Sequence, residues 1–299
     1  LASLCLARLH AGAPAYALVS LDNCQNNGIR LRRAMTDMAD AWLEGEFITD
    51  TEHDWLVNSI SYPLSMIDKI TPRPDARVTE QLEADGLEGI RPFMTEKGTY
   101  AAAFVNTERP QYLLIEDNFP NGHPPLEQLG IIFTNRKIVD RSARMKACTC
   151  LNPMDTALGV YGCMLGYKTI HDEMHDPQLV KLITRMSVDE AMPMVEDPGV
   201  INPVEFLHEV LRERYPNPFL PDTPQRTATD TSQKLSTRFG QTLYAYYNSP
   251  VPMHRVSNLT YIPLVLAGWL RYLLGVDDQG QPFDRSPDPM LPYLDKLLE

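Results

Sequence analysis

The sequence predicts an α/β part followed by an all-helical part, and one change of texture along the chain, together with its punctuation, predicts it. Up to Asn135, short apolar runs bounded by turn residues alternate with helical periodicity, the pattern of strands crossed over by helices. After Arg136 the strand-like runs stop and apolar residues recur at steps of three and four. Punctuation agrees, because 25 prolines against 16 glycines mark stiff, ordered connections. The expected division is residues 1–137 for the α/β part and 138–299 for the helical part.

The elements follow in order. Leu1, Leu4, Leu6 and Leu9 mark an amphipathic helix already under way at the first residue, and the chain stops in another at Leu297-Leu298-Glu299. A piece of a longer protein is therefore expected, truncated at both ends. Tyr16-Ala-Leu-Val-Ser-Leu21 is a short apolar run between Pro14 and Asp22-Asn23-Cys24, as expected of a buried parallel strand ending in a loop. In open α/β sheets ligands sit at such strand ends. Leu31, Ala34, Met35, Met38, Ala39 and Trp42 give a helix over 30–42, ended by Gly45, and a second helix is expected near 51–60. Pro63, Pro72 and Pro74 give 62–74 a rigid, extended path. Strands are expected at 89–93, 101–105, 111–115 and 130–134, and helices at 138–145, 155–165, 177–186, 204–214, 237–247 and 258–274. Proline-rich breaks fall at 216–218 and 219–224.

Composition excludes several classes. Apolar residues at 43% and charged residues at 22% are globular values, so neither a disordered tail nor a fibrous repeat fits. A formal net charge of −12 repels a phosphate backbone, which argues against nucleic acid as a partner. The longest apolar stretch, Tyr261 to Leu270, is cut by Arg271 and falls short of the ~20 residues a bilayer span needs, so no membrane anchor is expected but a buried helix is. Five scattered cysteines and no signal peptide point to a reduced, cytoplasmic setting.

Few motifs carry chemistry on their own. No Gly-x-Gly-x-x-Gly turn occurs. His171-Asp-Glu-Met-His175 puts two imidazoles at i and i+4, a zinc-hydrolase pattern, but Asp172 stands where that motif needs a glutamate. An exposed, charged helix start is the plainer reading, and no metal site is expected. Cys148 and Cys150 lack a second pair, so apolar packing is expected of them. Lys146, among Met145, Ala147 and Cys148, is either a desolvated amine suited to proton transfer or a lysine snorkelling to the surface. Asn152 before Pro153 is open to a capping role. The polar run Thr227-Ala-Thr-Asp-Thr-Ser-Gln233, flanked by Arg226 and Lys234, suits a polyhydroxylated ligand or a solvated loop.

Six stretches taken together resemble the polyol-specific long-chain dehydrogenases, the family of mannitol 2-dehydrogenase and fructuronate (mannonate) reductase. They are Leu21-Asp-Asn-Cys-Gln-Asn-Asn-Gly28, Pro63-Leu-Ser-Met-Ile-Asp-Lys-Ile-Thr-Pro72, Leu114-Ile-Glu-Asp-Asn-Phe119, residues 145–167, Asp230-Thr-Ser-Gln-Lys234 and Ala267-Gly-Trp-Leu-Arg-Tyr272. The resemblance implies the second part of an expanded Rossmann-type domain, entered after its glycine-rich turn, plus a mostly helical substrate domain. It implies NAD or NADP as cofactor and a hexuronate or polyol as substrate, with fructuronate/mannonate first and mannitol/fructose second. Oligomeric state is left open.

By the same resemblance Lys146 is the general base, while Asn23 and Asn152 polarise the reacting oxygen. Asp68, Arg226 and Lys234 hold the substrate's hydroxyls or carboxylate, and Asp22 with Asn23 faces the cofactor. Lys146, Asn23 and Asn152 are expected to converge on one oxygen position. Three departures stand out. Asp155 occupies the catalytic place of a family histidine, and a carboxylate there would favour a charged Lys146 if the two face each other. Ala143 stands where many members have a glutamate. Lys146 precedes Asn152 by six residues where mannitol dehydrogenase has five, which a bulge or a sister subfamily can absorb. A family member that binds sugar acids without turning them over is therefore an alternative, with the zinc hydrolase more remote.

Overall fold

In the computed structural model, residues 1–71, 73–220 and 222–298 are described. Pro72 of the expected 62–74 path, Pro221 of the 219–224 break and Glu299 of the last helical pattern lie outside the described residues. The chain forms two compact units: one of Leu1–Asp68, Gln111–Arg144 and Pro198–Val200, the other of Lys69–Pro110, Met145–Asp197 and Ile201–Glu299. The strands are β1 (Ser65–Asp68), β2 (Phe93–Met94), β3 (Tyr100–Ala101), β4 (Tyr112–Glu116) and β5 (Ile132–Thr134). An α/β part and a helical part are both present, in agreement with the pattern read from the sequence.

The first unit is built on a three-stranded sheet in the order β1-β4-β5, antiparallel between β1 and β4 and parallel between β4 and β5. The Tyr16 to Leu21 run does not become a buried strand. Ala17 makes one parallel bridge to Ser61, residues 16–20 are half-buried and Leu21 is exposed. A ladder needs neighbours on which to extend, and one bridge supplies two hydrogen bonds: Leu18 N to Ser61 O at 2.9 Å and Ser61 N to Tyr16 O at 3.3 Å.

The helices Ala2–His10 and Asn27–Glu44 cover a core of Ala2, Cys5, Met35, Ala39, Ile48, Leu56, Ile60 and Tyr62. The fully buried residues of the first helix are Ala2 and Cys5, with Leu6 partly buried against the same core, while Leu1 and Leu4 are exposed. Its small residues permit the closer approach. Gly28 is required at the start of the second helix, because a Cβ there would lie 2.5 Å from the Pro63 carbonyl oxygen and 2.7 Å from that of Tyr62.

Among its described residues the second unit's regular structure is helical apart from the two-residue β2/β3 hairpin and one bridge between Val276 and Pro282. The longer strands expected at 89–93 and 101–105 do not form: Phe93 and Met94 are exposed and find no third strand to cover a face. A helix at Ala76–Ala84, capped by the Asp75 carboxylate, has no counterpart in the sequence expectations. The centre of the unit is the Asn152–Leu165 helix, packed against Pro177–Arg185, Pro224–Thr227 and Tyr261–Tyr272. The helix Tyr261–Tyr272, expected to be buried, is so on one face, through Ile262, Val265, Gly268 and Tyr272, while Leu264 and Leu270 are exposed. The polar run is no loop either. Pro224–Thr227 and Thr231–Leu235 are short helices with Thr227 and Thr231 buried. Cys148 and Cys150 are buried, as their apolar reading requires. Among the described residues no helix is long and apolar enough to cross a membrane.

Candidate active site

The helix Arg136–Met145 runs on into a π-turn, Lys146–Cys150, all five residues of which are buried. Leu151 N donates to the Lys146 carbonyl oxygen at 3.2 Å, an i to i+5 bond that takes up one residue more than an α-turn. Leu151, at φ −141° and ψ −68°, breaks the helix, and Asn152 begins the next one with Pro153 at a position where a missing N–H costs nothing. The π-turn thus occupies most of the interval between Lys146 and Asn152. Lys146 is 4% exposed, so it does not snorkel. Asn152 is the first residue of its helix, and Leu151, not Asn152, holds the cap position.

One turn beyond Asn152, the half-buried Asp155 receives a hydrogen bond from the Tyr215 hydroxyl at 2.7 Å. That hydroxyl also lies 3.2 Å from the Leu151 carbonyl oxygen, so Tyr215 ties both ends of the break. Burial pushes the Asp155 carboxyl up, against the opposing pull of Arg238 and the Tyr215 hydrogen bond. Burial and Asp155 together push the Tyr215 phenol well above its ordinary value. The partners found for Asp155 are thus Tyr215 and Arg238, which sequence comparison does not supply. Tyr215 carries no local signal, whereas Arg238 stands four residues after Lys234, a helical spacing that marks a shared face.

Arg226 holds Asp222 with both arms of its fork: Nε to Oδ1 at 2.5 Å and Nη2 to Oδ2. Lys234 donates to the carbonyl oxygens of Thr227, at 3.3 Å, and Thr229. Burial, then Arg238, lowers its proton affinity. Arg238 donates from Nη1 to Thr156 Oγ1 at 2.6 Å, and burial lowers its proton affinity while Asp155 raises it. The second unit therefore brings Asp155, Arg226, Lys234 and Arg238 into one electrostatic neighbourhood.

Asp22, Asn23 and Asp68 belong to the first unit. The loop carrying Asp22 and Asn23 is held from behind by the buried Asn27, whose amide donates to the carbonyl oxygens of Ser20 at 3.1 Å, Asp22 at 3.0 Å and Ser65 at 3.1 Å. Asp22 and Asn23 themselves are exposed on this braced loop. Asp68 closes β1 opposite Tyr112 and is 3% exposed.

The histidine pair is engaged elsewhere. His171 Nδ1 lies 2.6 Å from the Pro216 carbonyl oxygen, and His175 Nδ1 lies 3.0 Å from that of His171. Among the described residues no group of three or more His, Cys, Asp or Glu is arranged to hold a metal ion, which leaves the zinc-hydrolase pattern without a third ligand.

The family described as "Mannitol dehydrogenase C-terminal domain" matches residues 139–298. The chain belongs to the mannitol dehydrogenase family. It is 49% identical over 295 residues to the D-mannonate oxidoreductase of Thermotoga maritima, covering 98% of this chain and 54% of that protein. To the mannitol 2-dehydrogenase of Phaeosphaeria nodorum it is 31% identical, covering 98% of this chain and 48% of that protein. Among solved structures it is similar to Pseudomonas fluorescens mannitol 2-dehydrogenase in ternary complex with NAD and D-mannitol. That likeness has 27% identity and a TM-score of 0.73, over 100% of this chain and 55% of the other. The chain spans about half the length of the curated relatives it matches.

Proposed function

We propose that this chain is the substrate-binding part of an NAD(P)-dependent dehydrogenase that interconverts the secondary alcohol of a sugar acid or polyol with its ketone. The fructuronate/mannonate pair is the first substrate assignment and mannitol/fructose the second. The observation that carries the reading is a lysine 4% exposed in a π-turn, with an asparagine six residues on at the start of the next helix. Likeness to a D-mannonate oxidoreductase at 49% identity, and to a mannitol 2-dehydrogenase solved with NAD and D-mannitol, supports it.

In this reading the first unit is the remainder of a Rossmann-type domain. When bound, a nicotinamide at Asp22 and Asn23 supplies the hydride acceptor. Lys146 takes the hydroxyl proton as the carbonyl forms. A buried amine is suited to that work because desolvation disfavours its charged form. The Asn152 carboxamide donates to the reacting oxygen and does not titrate itself. Lys234 offers a remaining hydroxyl the N–H left over from its two backbone carbonyls.

The test is turnover of the full-length protein with mannonate and with mannitol in the presence of NAD. Lys146→Met is expected to lower turnover by ~10²–10⁴-fold with an unchanged circular dichroism spectrum. Undiminished turnover in that variant rejects the assignment of the base. Ala143 and Asp155 favour a second reading, a sugar-acid binder without turnover, and hexuronate binding by an inactive wild type would select it.

A further inference from the structure

The Arg226 fork, expected to grip a substrate carboxylate, is already filled. Asp222 takes both of its arms across one helical turn, and the Lys234 ammonium gives two of its three N–H groups to backbone carbonyls. Arg238 differs from both. Of its five N–H donors one goes to Thr156 Oγ1, and among the described residues no carboxylate stands within ion-pair distance of it. It is half-buried, with Asp155 as its attractive neighbour and Arg226 as a repulsive one. A guanidinium withdrawn from water without a full counter-charge is an unstable arrangement that an incoming anion relieves.

Its position relative to the proposed chemistry is set by a short relay. Arg238 Nη1 donates to Thr156 Oγ1, which in turn donates to the Asn152 carbonyl oxygen at 3.2 Å. Thr156 stands one helical turn beyond Asn152, so Arg238 meets this helix one turn from the residue proposed to polarise the reacting oxygen. We infer that Arg238, not Arg226, receives the carboxylate of a hexuronate-type substrate, and that it sets the preference for a sugar acid over a neutral ketose. This rests on the dehydrogenase reading above. Planar, paired N–H donors match a carboxylate and gain nothing comparable from a sugar hydroxyl.

The experiment measures kcat and KM of the full-length enzyme with NADH for fructuronate and for fructose. Wild type, Arg238→Gln and Arg238→Lys are compared. In Arg238→Gln the ratio of kcat/KM for fructuronate to that for fructose is expected to fall by about 10²-fold, mainly through KM. Arg238→Lys is expected to recover part of the ratio and, being the milder change, keeps the test available if the glutamine variant does not fold. A ratio that stays as in wild type, or an equal loss on both compounds, overturns the assignment while the dehydrogenase reading stands. A wild type active on fructose alone overturns the hexuronate preference, and one inactive on both overturns the dehydrogenase reading and this inference with it.

Discussion

Two buried glutamates, one in each compact unit, are handled in opposite ways. Glu116 ends β4 in the first unit, where its carboxylate accepts from Leu64 N at 3.0 Å and from Arg136 Nε at 3.0 and 3.1 Å. Glu173 in the second unit is 0% exposed, and both of its carboxyl oxygens are without a hydrogen-bond partner among the described residues. Burial first, then the neighbouring Asp222, Asp172 and Asp176, pushes it up to about 9. The sheet unit uses a charge as a tie between strand and helix. The helical unit buries a carboxylic acid that keeps its proton at neutral pH. Partners, more than depth, decide which form is held.

The largest expected effect breaks that symmetry directly. The unfolded chain releases the Glu173 proton near the ordinary value of 4.5, whereas the folded chain holds it to about 9. The contribution is fully present below the lower value and is lost as pH rises between the two, at up to about 1.4 kcal/mol per pH unit. Glu173→Gln is expected to raise Tm at pH 8 and to flatten the fall of stability over that window, as followed by thermal melts. The same exchange at Glu116 is expected to have the opposite sign and to cost about 1–2 kcal/mol, because it takes the charge from Arg136. Equal signs at the two positions would remove the distinction.

Next in size is Gly28→Ala. The new methyl would meet backbone carbonyls of residues 62 and 63, which cannot swing aside as a side chain does. A loss of about 3 kcal/mol in denaturant unfolding of the full-length protein is expected.

The smallest effect concerns a third buried glutamate. Glu190 accepts from the backbone N–H groups of Thr260, Tyr261 and Ile262, at 2.5, 2.8 and 2.7 Å, and so anchors the start of the Tyr261–Tyr272 helix. Glu190→Ala is expected to cost about 1–2 kcal/mol, measured by chemical denaturation. It places a carboxylate held by a helix terminus beside the ion-paired Glu116 and apart from the unpartnered Glu173.

The sequence by itself determined most helices. Leu31 to Trp42, the segment after Asp155 and the apolar residues from Tyr261 on each repeat with the period of the structure they form, and periodicity is a local property of a chain. It determined β4 and β5 as well, since both runs have neighbours to pair with. It flagged Lys146 and Asn152 as candidates, and a π-turn that no periodicity announces begins at the first of them. Tertiary structure alone decided the rest. Tyr16 to Leu21 has strand composition, yet the structure pairs it only through Ala17 and Ser61. Which leucines of the first helix face solvent depends on what Ala2 and Cys5 pack against. Arg226 and Arg238 are chemically alike in sequence, and Asp222 and Thr156 make them different. Tyr215 meets Asp155 from sixty residues away. Proton affinities and ion pairs depend on which distant groups arrive and how much water leaves, and neither quantity is written in local residue spacing.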